Sequence, residues 1–224
     1  MVNPSDIGKS IVQGPRKAPG VAGSALRRIL DLAIDGYQGL PGAREVAAGH
    51  LNKKADRDQA IDAITVQHVG LAGAQGFVTN LGGLLLLPLT IPANMTGVMV
   101  VQSRMVASIA HLRGYDVDDS RVRAAILMCL LGDESVTRLL SSGKLPGNPI
   151  TVATAPVFDP ALEQQISEAV LGVLLTGVGG KKVGLLFSKR VPILGGVVGA
   201  GTDGWSTYQI ARYATEQFID RRHG

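Results

Sequence analysis

The amino-acid sequence predicts an all-α protein: a single-domain bundle of about seven to nine helices around a central, apolar, glycine-rich helical hairpin. Three observations lead there. Apolar residues recur at three and four positions along most of the chain, the spacing that gives a helix one buried face. Apolar–polar alternation, the mark of a half-buried strand, lasts five residues only weakly and only at Pro149–Val157. The helical runs also begin and end on residues suited to helix termini.

The first such run is Leu26, Ile29, Leu30, Ala33, Ile34 and Tyr37, with Ser24 placed to cap it and Gly36 to stop it. After the Leu40-Pro41-Gly42 turn, a second helix is expected over Ala43–Lys54. A third starts near Asp56 and sets Ile61, Ile64, Thr65, His68 and Leu71 on one side. Residues 63–103 then carry no Asp, Glu, Lys or Arg. A membrane span needs about 20 continuous apolar residues. Val69–Leu87 approaches that length but holds Gln75, Asn80 and Gly82-Gly83, and Pro88 and Pro92 follow. The simpler expectation is two helices joined by an irregular turn over Asn80–Pro92, the second helix running from about Ala93 to Arg113. Insertion of this hairpin into a bilayer stays open.

Beyond Gly114-Tyr115-Asp116, Ser120 opens a helix with Val122, Ala125, Ile126, Cys129 and Leu130 inward, and a short helix follows at Ser135–Leu140. Residues 141–158 hold three prolines and are expected to form a loop. Asp159-Pro160 pairs a capping residue with proline at the first helical position, and Leu162, Ile166, Ala169, Val170, Val173 and Leu174 continue the run. A last helix is expected from near Pro192 through Trp205, Tyr208, Ala211, Thr215 and Phe218 to Arg221-Arg222. Residues 1–22, with Pro4, Pro15 and Pro19 and no continuous apolar stretch, are expected to be a flexible arm and not a signal peptide.

Composition narrows the function classes. Hydrophobic residues make up 46% of the chain and charged residues 18%, against about 25% charged in an average domain. Such a chain suits either a deeply buried helical core or contact with lipid. The net charge of +4 comes partly from basic pairs: Arg27-Arg28, Lys53-Lys54 with Arg57, Lys181-Lys182, Lys189-Arg190 and Arg221-Arg222. These are either solvated helix ends or attachment points for an anionic bilayer, the latter reading placing Lys181, Lys182, Lys189 and Arg190 at the membrane surface. No basic stripe is interleaved with aromatics, so nucleic acid is not an expected partner. The single cysteine, Cys129, cannot form an internal disulfide and points to a reducing cytoplasmic setting.

No catalytic, cofactor or metal motif emerges. Gly199, Gly201 and Gly204 spell G-x-G-x-x-G, but a dinucleotide site needs a strand before it and a second strand ending in an acidic residue after it. Only 20 residues remain beyond Gly204, and they read as one helix. Close helix packing explains these glycines better: Gly195 and Gly199 lie four apart on one face, and Gly82-Gly83 serve a tight turn. Gly8-Lys9-Ser10 lacks the glycine a phosphate loop needs five positions before its end glycine, where Asn3 stands. His50, His68, His111 and His223 show no ligand spacing. Three polar residues stand out in apolar surroundings: Arg104, Asp203 and Asn80. A lone charge there is costly unless paired, so Arg104 and Asp203 are expected to turn inward, with the prospect that they meet.

Two segments resemble the EcsC family of bacterial proteins. In one, Pro92 leads into a helix with Gln102, Arg104, Ile109 and Ala110, then Arg113-Gly114-Tyr115-Asp116. In the other, Val191–Gly199 leads into the last helix with Ala214 and Phe218. The likeness spans roughly residues 37–222, within a helical domain taken as 23–222. The Gly114-Tyr115 order is inverted relative to the family pattern, and Asp203 replaces an expected Asn. The resemblance implies a non-enzymatic accessory or regulatory protein at the inner face of the cell membrane, linked to an ABC-type exporter. Its expected partner is anionic lipid or a membrane transport protein. A soluble helical interaction module, and a hydrolase or small-ligand-binding protein with an unrecognised site, are the alternatives.

Overall fold

The computed structural model describes residues 19–37, 39–73, 93–156, 160–179 and 198–222. Among them are nine helices and no strand: α1 (Pro19–Asp35), α2 (Ala43–Leu51), α3 (Arg57–Gly73), α4 (Ala93–Leu112), α5 (Ser120–Cys129), α6 (Gly132–Ser141), α7 (Pro149–Ala153), α8 (Pro160–Gly179) and α9 (Val198–Gln217). The all-α class read from apolar spacing is the observed one. The turn of the expected central hairpin lies outside the described residues, while the helices on either side of it, α3 and α4, pack against each other.

Helix α4 is the axis of the bundle. It packs against α1, α2, α3, α5 and α9, and every residue from Met99 to Ala110 is buried. A helix enclosed on all sides needs no single apolar stripe. It does need a partner for each polar side chain it carries inward.

Helix α3 runs antiparallel to α4 and α9. At one end Arg113 pairs with Asp58 at 2.9 Å and Arg57 with Asp220 at 3.5 Å. Further along, Arg104 reaches His68, and Gly204 packs over Val69. Gln102 Nε2 donates to Thr207 Oγ1 at 3.0 Å, so α4 and α9 run side by side in the same direction. The last turns of α3 and the first turns of α4 and α9 therefore share one end of the bundle.

The other end is closed by local sequence signals. At the C-terminus of α4, Gly114 adopts φ +89°, Tyr115 N–H donates to Ala110 O at 3.0 Å, and Gly114 N–H donates to His111 O at 3.0 Å. This is a Schellman closure, and glycine suits it because the left-handed conformation strains other residues. The closure drops Tyr115 onto Phe218 edge to face, centroids 5.0 Å apart, and Arg221 lies 5.2 Å over the Tyr115 ring. Arg221 N–H also donates to Arg113 O at 2.9 Å, pinning the chain beyond α9 to the α4–α5 turn. Asp119 caps α5 by accepting from Arg121 N–H at 2.9 Å.

Several boundaries differ from expectation. Helix α1 begins at Pro19, a full turn before Ser24, because proline is well suited to a first turn. Helix α2 stops at Leu51 and α6 extends back to Gly132. The stretch expected to be a loop contains α7, started by Asn148, whose side chain accepts from Thr151 N–H at 3.1 Å, with Pro149 at the first position. Helix α9 is described from Val198; the expected start near Pro192 lies outside the described residues.

Candidate functional site

The polar residues buried along α4 converge at one junction. Arg104 is 2% exposed and His68 is fully buried. Arg104 Nε donates to His68 Nε2 at 3.1 Å, and its Nη1 donates to the Pro41 carbonyl at 3.3 Å. A guanidinium has only donors, so His68 Nε2 must be the accepting nitrogen. The ring proton then sits on Nδ1 and is donated to Ile64 O, 2.8 Å away. Burial first, and the neighbouring guanidinium second, hold the His68 pKa down at about 4. Burial lowers the Arg104 pKa to about 10, which leaves it charged at neutral pH.

One turn further on, Ser108 Oγ shares its proton between Arg104 O at 2.8 Å and Ala43 O at 3.0 Å. The junction thus ties α4 to α3, to the first residue of α2 and to the turn before it. That turn is sterically exacting. A Cβ on Gly42 would come within 2.3 Å of Ile34 O, so only glycine lets the backbone pass. The same turn presents the Pro41 carbonyl to Arg104.

Chemically, the junction is a clamp. Both His68 nitrogens are engaged, and its low pKa keeps it neutral, so proton transfer through it would break the Arg104 bond. Burial pushes the Cys129 thiol far above its ordinary range, the reverse of what activates a nucleophile. No cluster of His, Cys, Asp or Glu suited to a metal occurs among the described residues. Two broad hollows mark their surface. One, of about 560 Å³, is lined by Leu139, Lys144, Gln165, Glu168 and Val173; the other, of about 520 Å³, by Lys54, Gln59, Asp62 and Val66. Neither lining includes His, Ser or Cys.

Residues 14–139, more than half of the chain, match the EcsC protein family. The chain belongs to the EcsC family. No curated protein and no solved structure matches it. The EcsC match takes in Pro92–Asp119, one of the two segments that carried the resemblance, and leaves Val191–Gly199 outside. It also takes in the entire Arg104–His68–Pro41 junction, so in this EcsC chain the clamp sits within the matched part.

The other expected site residues fall differently. Asp203 is half-buried on α9, its carboxyl pKa raised by burial, and it is not among the described partners of Arg104. The prospect of an Arg104–Asp203 pair gives way to His68 and the Pro41 carbonyl as acceptors. Gly199 lies in the first turn of α9, and Gly201 and Gly204 follow in the same helix, so the G-x-G-x-x-G string has no loop to cradle a phosphate. Asn80, Gly82, Gly83, Lys181, Lys182, Lys189, Arg190 and Gly195 lie outside the described residues. Four basic groups counted as surface charge are used by the fold: Arg27 pairs with Glu163, Arg57 pairs with Asp220, Arg221 lies over the Tyr115 ring, and Arg222 donates to His111 O at 3.2 Å.

His68 and Ser108 are the residues that sequence reading passed over. The helical spacing already placed His68 with Ile61 and Ile64 on the inward face of α3. A histidine there must find hydrogen-bond partners, and Arg104, the lone charge of the neighbouring helix, was the available donor.

Proposed function

We propose that this EcsC protein acts without chemistry of its own, as an accessory protein seated on the inner face of the cell membrane. The reading rests on the distribution of charge. Residues 63–73 of α3, 93–103 of α4 and 198–211 of α9 meet at one end of the bundle, and Asp203 is their only Asp, Glu, Lys or Arg. At a rise of about 1.5 Å per residue, this zone is roughly 16 Å deep. The opposite end is crowded with ion pairs: Arg44 with Asp35 and Asp118, Arg57 with Asp220, Arg113 with Asp58, Arg121 with Asp119 and Arg123 with Asp31.

A surface with one half-buried carboxyl loses less when it leaves water for a headgroup layer than an end rich in ions does. No helix among the described residues is long and apolar enough to cross a membrane. The sequence continues from this end into the uncharged residues 74–92, and the basic pairs Lys181-Lys182 and Lys189-Arg190 stand shortly before α9. Basic side chains there would add attraction to anionic lipid. A membrane transport component, as the family's association with an exporter suggests, would then be met at the membrane.

Co-sedimentation with vesicles tests the reading. Binding to vesicles that contain phosphatidylglycerol, weakened but not abolished by salt, is the expected result. Protein left in the supernatant at every salt concentration would refute it.

A further inference from the structure

Three large apolar side chains are exposed in or beside this charge-poor zone: Val66 at 73%, Trp205 at 55% and Tyr208 at 41%. They belong to two packed helices. Gly204 against Val69 and Arg57 against Asp220 set the antiparallel register of α3 and α9. Val66 lies one turn from Val69, and Tyr208 one turn from Gly204, so the two share a level of the seam. Trp205 is one turn from Tyr208 on the same face, with ring centroids 5.9 Å apart. The rest of that exposed face continues to Arg212, at the border of the zone.

We infer that this seam, with Trp205 and Tyr208 as anchors and Val66 beside them, is the surface that rests in the lipid headgroup layer. The inference deepens the proposed membrane seating and depends on it. Indole and phenol rings suit that layer because each has an apolar body and one polar tip. Burying either ring inside the bundle would require a partner for its N–H or O–H; at a headgroup level lipid and water supply one. The seam lies about 10–15 Å from the ends of α3 and α9, so its rings sit at the edge of the charge-poor zone and not at its tip. A second copy of the chain fits less well. A stable interface needs about 800 Å² from each partner, more than three side chains supply.

Trp205 is the chain's only tryptophan, so its fluorescence reports on this seam alone. Added to phosphatidylcholine vesicles containing phosphatidylglycerol, the protein should shift its emission to shorter wavelength. Acyl chains brominated near the headgroup should quench it more than chains brominated near their ends. The W205A/Y208A double variant, altered only at exposed positions, should keep its helical circular dichroism and lose about tenfold or more in vesicle affinity. Vesicle binding with unchanged Trp205 emission, or full affinity in the double variant, would overturn the inference and leave the membrane reading standing. No binding at all would remove both. A blue shift that grows with protein concentration in the absence of vesicles would overturn it in favour of self-association.

Discussion

Arg104 and His68 are unequal partners. Arg104 brings the charge, and His68 supplies the accepting nitrogen, so removing one differs from removing the other. In His68→Leu the guanidinium keeps its charge and loses the acceptor 3.1 Å away, which costs more than the roughly 1–3 kcal/mol of an unmet neutral group. Arg104→Met removes the buried charge itself and leaves the neutral acceptors His68 Nε2 and Pro41 O unmet, for a loss of about 1–3 kcal/mol. Denaturant unfolding should rank the variants in that order, and the double variant should be more stable than His68→Leu alone. Equal losses would show that the charge is not the costly part. The same residue predicts a pH dependence. His68 has a folded pKa of about 4 against 6.5 when unfolded, so between those values the unfolded chain binds the extra proton. Stability from this group is complete above pH 6.5 and is lost as pH falls to 4, by about 3 kcal/mol in all. Glutamine can accept from Arg104 and donate to Ile64 O without titrating, so His68→Gln should flatten that part of the stability curve. An unaltered slope in His68→Gln would assign the pH dependence to other groups.

Individual elements were legible wherever their signals are local. Asp119 and Ser120 open α5, Gly114 closes α4, and Pro160 starts α8, all within a residue or two of where spacing and capping put them. The failures are of two kinds. Helix α7 carries its own start signal in Asn148-Pro149, but in a proline-rich stretch those residues also spell a turn, and only packing on α5 selects the helix. The junction was hidden because its members stand far apart: 36 positions separate His68 from Arg104, and 63 separate Pro41 from Arg104. Burial of Arg104 followed from its apolar surroundings, but the choice of His68 over Asp203 depends on helix rotation and register. The turn before α2 gives a test at this scale. Gly39 has φ +86° but open space, so Gly39→Ala should cost only about 1–2 kcal/mol of left-handed strain. Gly42→Ala must push the backbone of Ile34 away and with it Pro41, the second acceptor of Arg104. Its loss in thermal stability should be the larger of the two; a Gly42→Ala protein as stable as Gly39→Ala would mean that the turn yields freely.

For the molecule as a whole, the polarity between a charge-poor end and an ion-paired end carries an orientation with it. If the protein seats on a bilayer by the α3–α9 seam, the α4–α5 turn at the far end must stay in water. The chain offers a clean background for testing this, since its one cysteine is buried and its thiol pKa is raised, so it resists labelling at neutral pH. A cysteine introduced at Val66, which is 73% exposed, removes no packing of consequence. One introduced at Asp118 gives up an exposed pair with Arg44, of a kind that contributes about 0–1 kcal/mol. Each would be coupled to a polarity-sensitive dye. On vesicles containing phosphatidylglycerol, the dye at position 66 should report a less polar environment and lose access to a water-soluble quencher. The dye at position 118 should do neither. Equal responses at both positions would mean that the protein lies on its side or binds in no fixed orientation. A response confined to position 118 would place the ion-paired end at the lipid, and the distribution of charge would then have to be explained by a protein partner covering the other end.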